Sequence, residues 1–506
     1  MNKTLRRFAC AVAMLASALT IGPTGAAAQT VQGTVRAWGD NQSGELGNGT
    51  TINSGVAVEV TGLGKAVKVA SGELHSIALK PDGTVWTWGY NVYGQLGNGS
   101  TTDSYVPLQV AGLSNVIDVS AGFHHCLALK SDGTVWAWGL NYWGQLGNGA
   151  NAPSSVPVQV LGLTGVVKVT GGYTHSLAIK SDGTLWAWGS NYWGQLGNGT
   201  FTDSNVPILV PAMFPVKSVA AGRHTLVLKT DGSLWAFGFN QNGGLGNGTN
   251  THSNVPVPVF GMSNVAGIAA GEIHSVALMS DGTVWAWGWG NCGQLGNGSN
   301  YDTNVPVQVS GITGVSSIAG GSCHTMALKS DGTLWGWGLN AFNMLGSGGP
   351  NTNVPVRANV VNTALALNET AFNENTMVLV KGETFASASA KLTIGAPGFD
   401  LNELVTLGAA SDGISPLTEA VTLQVGTYAV AIPSGSFQLN PNGRYVFSGI
   451  IQGVNLDVQI APQTTTIFNF KVTASGANLS GVINPVTVAL AIGNDSGTTT
   501  TTAEFE

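Results

Sequence analysis

Six histidines stand at near-constant spacing in this 506-residue chain: His75, His125, His175, His224, His274 and His324. Imidazole is a common metal ligand and a common general base near neutral pH, so a periodic set raises the question of a metal or catalytic array. The spacing argues against one. Each histidine follows a glycine at the same place in a repeated unit. Such a set lies around a circle, with neighbours too far apart to share an ion, and reads as hydrogen-bonding residues packed between units. Six aspartates (Asp82, Asp132, Asp182, Asp231, Asp281 and Asp331) each precede glycine, a turn pairing that serves positive φ. The alternating carboxylates of a calcium loop are absent. Other acidic residues in 29–364 are scattered and no nucleophile lies beside a base, so no catalytic group, metal or cofactor is expected. Cys126, Cys292 and Cys323 match no metal spacing and read as core-filling residues. A Cys292–Cys323 disulfide could form after export.

The elements that must position these residues follow from a second landmark. Trp38, Trp88, Trp138, Trp188, Phe237, Trp287 and Trp337 each precede glycine, at intervals of 49 or 50 residues. Self-similarity at this period signals a propeller or a solenoid. "HSLAIK" (175–180) and "TLWAWG" (184–189) are short β-rich runs joined by a Ser-Asp-Gly turn, and "VPVQV" (156–160) and "VVKVTGG" (166–172) add two extended pieces. Four short strands per unit is the content of one propeller blade. The first unit lacks a histidine strand, and "ENTMVLVKGETF" (374–385) overlays the missing half with Asn375 in the histidine position. The two ends of the array are therefore expected to share a blade, which removes exposed edges. The paired tryptophans, such as Trp186 and Trp188, read as core between blades.

The segment "GGYTHSLAIKSDGTLWAWGSNYWGQLG" (171–197) closely resembles the repeat of the regulator of chromosome condensation family, and the resemblance extends over about 31–385. It implies a seven-bladed β-propeller. Nuclear members of that family are nucleotide-exchange factors for a small GTPase and dock on chromatin. Here the even spacing leaves no room for the inserted wedge that exchange uses. Other members are secreted bacterial propellers, one of which inhibits β-lactamases by covering the enzyme with a propeller face.

Positions that differ between otherwise copied units point to a surface, because core positions must fill the same volume each time. Within N-x-x-G, and between Gly and His, the varying residues include the aromatics Tyr93, Phe123, Tyr142, Trp143, Tyr173, Tyr192, Trp193 and Phe342. Aromatics on rigid loops are typical interface anchors. These eight are the candidate contacts to a protein or glycan partner.

Composition sets the remaining expectations. Only 9% of residues are charged and 72 are glycine, which suits an all-β chain rich in turns. Residues 1–28 combine a basic start, an apolar run from Phe8 to Ile21 and an Ala26–Ala28 cleavage site, the pattern of a signal peptide. No other stretch is a candidate membrane span. Beyond residue 28 there are 16 basic against 26 acidic residues, a net charge of −10, so nucleic acid is a poor partner. The expected organisation is a signal peptide (1–28), a seven-bladed propeller (29–385) and a small β-sandwich accessory domain (386–506), where tryptophan vanishes and "VTVALAI" (486–492) alternates. The chain is expected to be a monomeric, non-enzymatic binding or scaffold protein exported to the periplasm, cell surface or medium. The alternatives are a secreted polysaccharide-active enzyme and a cell-surface adhesion or structural protein.

Overall fold

The unit from Val166 to Leu209 shows how the repeat folds. Its four strands, Val166–Gly171, His175–Lys180, Leu185–Gly189 and Ser204–Leu209, pair antiparallel in chain order. The central hairpin turns at Asp182-Gly183: Gly183 sits at φ +81°, and Asp182 Oδ1 accepts from Thr184 N at 3.0 Å and Thr184 Oγ1 at 2.6 Å. An L-residue at Gly183 would strain a left-handed backbone, and the aspartate satisfies donors that the turn leaves open. The third strand then bulges between Ala187 and Gly189, at φ +105°, before it pairs with the fourth.

This four-stranded sheet recurs in the runs 116–159, 216–258, 265–308 and 315–357, and in 68–109 with a short fifth strand. A further sheet joins distant parts of the chain. Gly33–Gly39 pairs with Ser54–Glu59 on one side and with Asn375–Val380 on the other, from Thr34 opposite Val380 to Gly39 opposite Asn375. Asn375 thus takes the register that His75 takes opposite Gly89. The first strands of the repeated four-stranded sheets converge on one cavity of about 740 Å³, whose lining runs from Val69 through Ser120, Thr170, Ala221, Ala269 and Ala319, with Leu379 of the joining sheet beside them. The structure is a computed structural model that describes residues 33–359 without a break and, after them, strands and short connections between 366 and 505.

The core lies between successive sheets. Trp188 is fully buried among Leu127, Leu129 and Leu146 of the preceding unit and Val169 and Ala178 of its own. Its indole Nε1 donates to Gln145 O at 2.9 Å. Trp38 does the same across the ends of the array, donating to Met344 O at 3.0 Å and packing with Leu328, Leu345 and Val378. Each sealed tryptophan removes some 150–250 Å² of ring surface from water while its one polar atom stays bonded. The first tryptophan of each pair behaves differently. Trp86 and Trp186 lie at the cluster margins, half-buried, with the ammonium groups of Lys80 and Lys180 over their rings at 5.1 and 5.6 Å. Only the second is interior core.

Beyond the repeat, strands between Ser387 and Phe505 form two separate sheets, one of seven strands and one of four. The signal-like segment and the chain up to Gln32 lie outside the described residues.

Candidate functional site

The N-x-x-G loops are held by a buried amide frame. Asn191 is sealed; its Oδ1 accepts from Leu196 N at 2.9 Å, and its Nδ2 donates to Thr200 O and Thr202 O. Gln195 Oε1 accepts from Trp193 N at 2.9 Å. With Asn191 and Gln195 committed inward, the two residues between them turn outward: Tyr192 is 76% exposed and Trp193 half-buried. The same frame around Asn141 and Gln145 presents Tyr142 and Trp143, 57% and 38% exposed.

The rings meet across units. Tyr142 touches Trp143 and Tyr93, with ring centroids 6.2 Å apart in both pairs. Tyr93 meets His124 at 5.1 Å, His124 meets Phe123 at 4.5 Å, and Phe123 meets Tyr173 at 4.1 Å. From Tyr173 the chain of contacts passes through the Arg223 guanidinium, 4.4 Å above that ring and 5.7 Å from Trp193. Trp193 then meets Tyr192 at 5.7 Å and Phe239 at 5.2 Å. Seven of the eight sequence candidates therefore form one contiguous network on one side of the repeat. Phe342 does not join it; it is 43% exposed in a short 3₁₀ turn at φ 54°. The network encloses an open cleft of about 720 Å³ walled by Trp143, Tyr173, Tyr192, Trp193 and Phe201, with Asp203 on its lining.

Polar groups fix the rings in place. Arg223 donates from Nε and Nη2 to Glu272 Oε1 at 2.9 and 2.5 Å, and Ser322 Oγ donates to Glu272 Oε2 at 3.0 Å. His124 Nε2 lies 3.2 Å from Glu73 Oε2. Burial lowers the His124 pKa to about 4, so at neutral pH this contact is a hydrogen bond from a neutral ring. Arg223, His124, Phe201 and Phe239 escape a comparison confined to aromatics at N-x-x-G and G-x-x-H. Their signal is in the copies all the same: the residue after Trp-Gly or Phe-Gly varies as Asp40, Tyr90, Leu140, Ser190 and Phe239, and Phe201 stands in another varying place.

The six periodic histidines lie elsewhere, deep between sheets. His175 Nε2 is 2.9 Å from Thr225 Oγ1, whose hydroxyl donates to Gln195 O at 3.1 Å. Having given its one proton to the carbonyl, the hydroxyl can only accept from the ring, which assigns the proton to Nε2. His125, His224 and His274 repeat the contact with Ser176, Ser275 and Thr325, and His75 makes it with Cys126 at 3.2 Å. Burial drives their pKa values down to about 3 or 4. Sealed and neutral, these rings have neither access to a substrate nor a proton to trade near pH 7. Among the described residues no group of histidine, cysteine and carboxylate side chains is placed to hold a metal ion, and no helix is long and apolar enough to cross a membrane.

An all-β molecule of repeated four-stranded sheets around a common cavity, with its varying residues gathered on the loops of one side, is a β-propeller of the repeat type. The chain matches the family described as "RCC1-like domain" over residues 11–264, and the regulator of chromosome condensation repeat over 281–328, 265–294 and 315–343. It belongs to the regulator of chromosome condensation family. Among solved structures it is similar to human WBSCR16, at 26% identity over 69% of this chain and 99% of that one, TM-score 0.63. It is similar also to Prp20p from Saccharomyces cerevisiae, at 23% identity over 68% and 90%, TM-score 0.62, a structure described with that protein's binding to Gsp1p and histones. A structure of Kap60 bound to yeast RCC1 (Prp20) matches at 22% identity over 75% and 96%, TM-score 0.62. Among curated proteins nothing matches the chain.

Proposed function

We propose that this is an exported, non-enzymatic binding protein that captures a protein partner on the aromatic loop face of a closed, seven-bladed propeller. The observation that carries the reading is the contiguous ring network from Tyr142 to Phe239, turned outward by a buried amide frame and open as a cleft. Large rings on pre-set loops give contact area with little entropy left to lose on binding. Closure is supported by the Gly33–Gly39 pairing with Asn375–Val380 and by Trp38 bonding to Met344 O. Relatives of this fold bind proteins, Prp20p among them. We assign the six periodic histidines to the frame, residues 1–28 to a signal peptide, and 386–506 to an accessory β-sandwich. The concave, ring-walled cleft favours a glycan as the second reading, since sugar rings stack on such walls.

The test replaces Tyr142, Trp143, Tyr192 and Trp193 together by alanine. Immobilised wild-type protein is expected to retain a partner from the producing organism's secreted proteins, or from a glycan array, that the variant no longer holds. Its thermal midpoint should stay within a degree or two of wild type. A large fall in that midpoint would place these rings in the core and end the reading.

A further inference from the structure

The loops of the aromatic face meet in a fixed pairing. The residue before the last glycine of N-x-x-G in one unit faces the residue before the histidine in the next: Tyr93 with His124, Trp193 with Arg223. In the sixth and seventh units the same two positions are Cys292 and Cys323. Their backbones are held by the bonds that hold the other pairs. Cys292 N donates to Gln294 Oε1 at 2.9 Å, as Trp193 N does to Gln195 Oε1. Cys323 O accepts from Leu339 N at 2.9 Å, as Thr174 O does from Ser190 N at 2.8 Å. The Cys292 side chain lies within hydrogen-bonding reach of the Cys323 thiol, and both are half-buried, reduced thiols. Cys126, by contrast, is sealed between His75 and Gln95 O.

We propose that Cys292 and Cys323 form a redox clasp, closing to a disulfide by exchange with a small-molecule disulfide oxidant. One cysteine, as its thiolate, attacks a sulfur of the oxidant, breaks its S–S bond and expels one oxidant thiolate. The neighbouring cysteine loses its proton and attacks the protein-bound sulfur of the mixed disulfide, expelling the second. One protein S–S bond forms, two S–H bonds are lost, and the oxidant leaves as two thiols. Only the thiolate attacks. Because the partner thiol and burial push the Cys323 pKa up, attack by the Cys323 sulfur is slow at neutral pH and quickens as pH rises. The clasp ties together loops about thirty residues apart in sequence. It also lies beside Ser322, which reaches through Glu272 to Arg223 and the aromatic cleft.

The full chain, reduced and desalted, is incubated with oxidised glutathione at pH 8 and read by intact mass and by peptide mapping with a protease cutting at Asp302, which lies between the two cysteines. The expected product has lost two hydrogens, carries one cross-linked Cys292–Cys323 peptide pair and retains the Cys126 thiol. Its thermal midpoint rises by several degrees and returns on reduction. Cys292→Ser should stop at a glutathione adduct on Cys323, with no oxidation-dependent rise. Unchanged mass, a lasting adduct on the wild type, or a cross-link through Cys126 or Cys10 would overturn the proposal. These readouts need no binding partner, so they stand or fall apart from the proposed function.

Discussion

Glu45 is the residue where the frame departs from itself most sharply. Four of the six equivalent positions carry glutamine, Gln95, Gln145, Gln195 and Gln294, whose side-chain oxygens accept a loop N–H, while Gly244 and Met344 fill the other two. Glu45 keeps that bond, from Ser43 N at 2.9 Å, but brings a carboxyl into the interior with one oxygen unpartnered. Burial raises its pKa to about 7, with a smaller push from the charges of Asp40 and Asp103. The folded state therefore holds this proton more tightly than the unfolded state does. Its contribution to stability is full below about pH 4.5 and is lost as pH rises through 7. Glu45→Gln keeps the shape and removes the charge. It should raise stability at pH 8 by up to about 3 kcal/mol and leave pH 4 unchanged, as read from urea unfolding at the two pH values. An equal effect at both would show that Glu45 is not titrating.

At the scale of the strand, the six histidines act as a set with the opposite sign. Their folded pKa values are depressed to about 3 or 4 from an ordinary 6.5. Stability that depends on them is complete above 6.5 and is lost as pH falls through that window. Because five of the six rings bond across to the next unit, acid should loosen contacts between sheets before the hairpins themselves. The thermal midpoint is expected to fall steeply between pH 6 and pH 4, and near-ultraviolet tryptophan dichroism should fade ahead of the far-ultraviolet signal. A flat midpoint across that range would show the rings titrating freely. These strands were legible in the sequence because their chemistry is local. The Asp-Gly turn, the β-rich "HSLAIK" and the Trp-Gly landmark each declare themselves within a few residues. The split between the two tryptophans was not legible, because depth between sheets belongs to the neighbour as much as to the strand.

For the whole molecule, the strand Asn375–Val380 bears more than its six residues imply. Met377, Val378 and Leu379 are buried, Met377 and Leu379 packing with Trp88 and Val378 with Trp38, on opposite faces of the sheet. A charge there is costly because it would be buried in an apolar cluster. If the closed ring is right, Met377→Asp should lower the thermal midpoint of the entire repeat in a single transition. Hydrogen exchange should then rise as far away as the Leu185–Gly189 strand. Protection lost only around residues 33–59 would instead describe an array that is open at that sheet.

What the sequence determined alone was the frame: strands, turns and the sealed histidine positions recur because every unit must fill the same space. It also marked where the frame relaxes, and seven of its eight aromatic candidates share one surface. Only the tertiary structure decided which relaxed positions touch. Tyr93 meets His124, Trp193 meets Arg223 and Cys292 meets Cys323 across some thirty residues of chain. Phe342, identical in kind to the others on paper, stands apart. Periodicity constrains each unit against its own copies, whereas a binding surface is made where unlike loops from neighbouring units are pressed together, and that meeting is set by how the sheets pack.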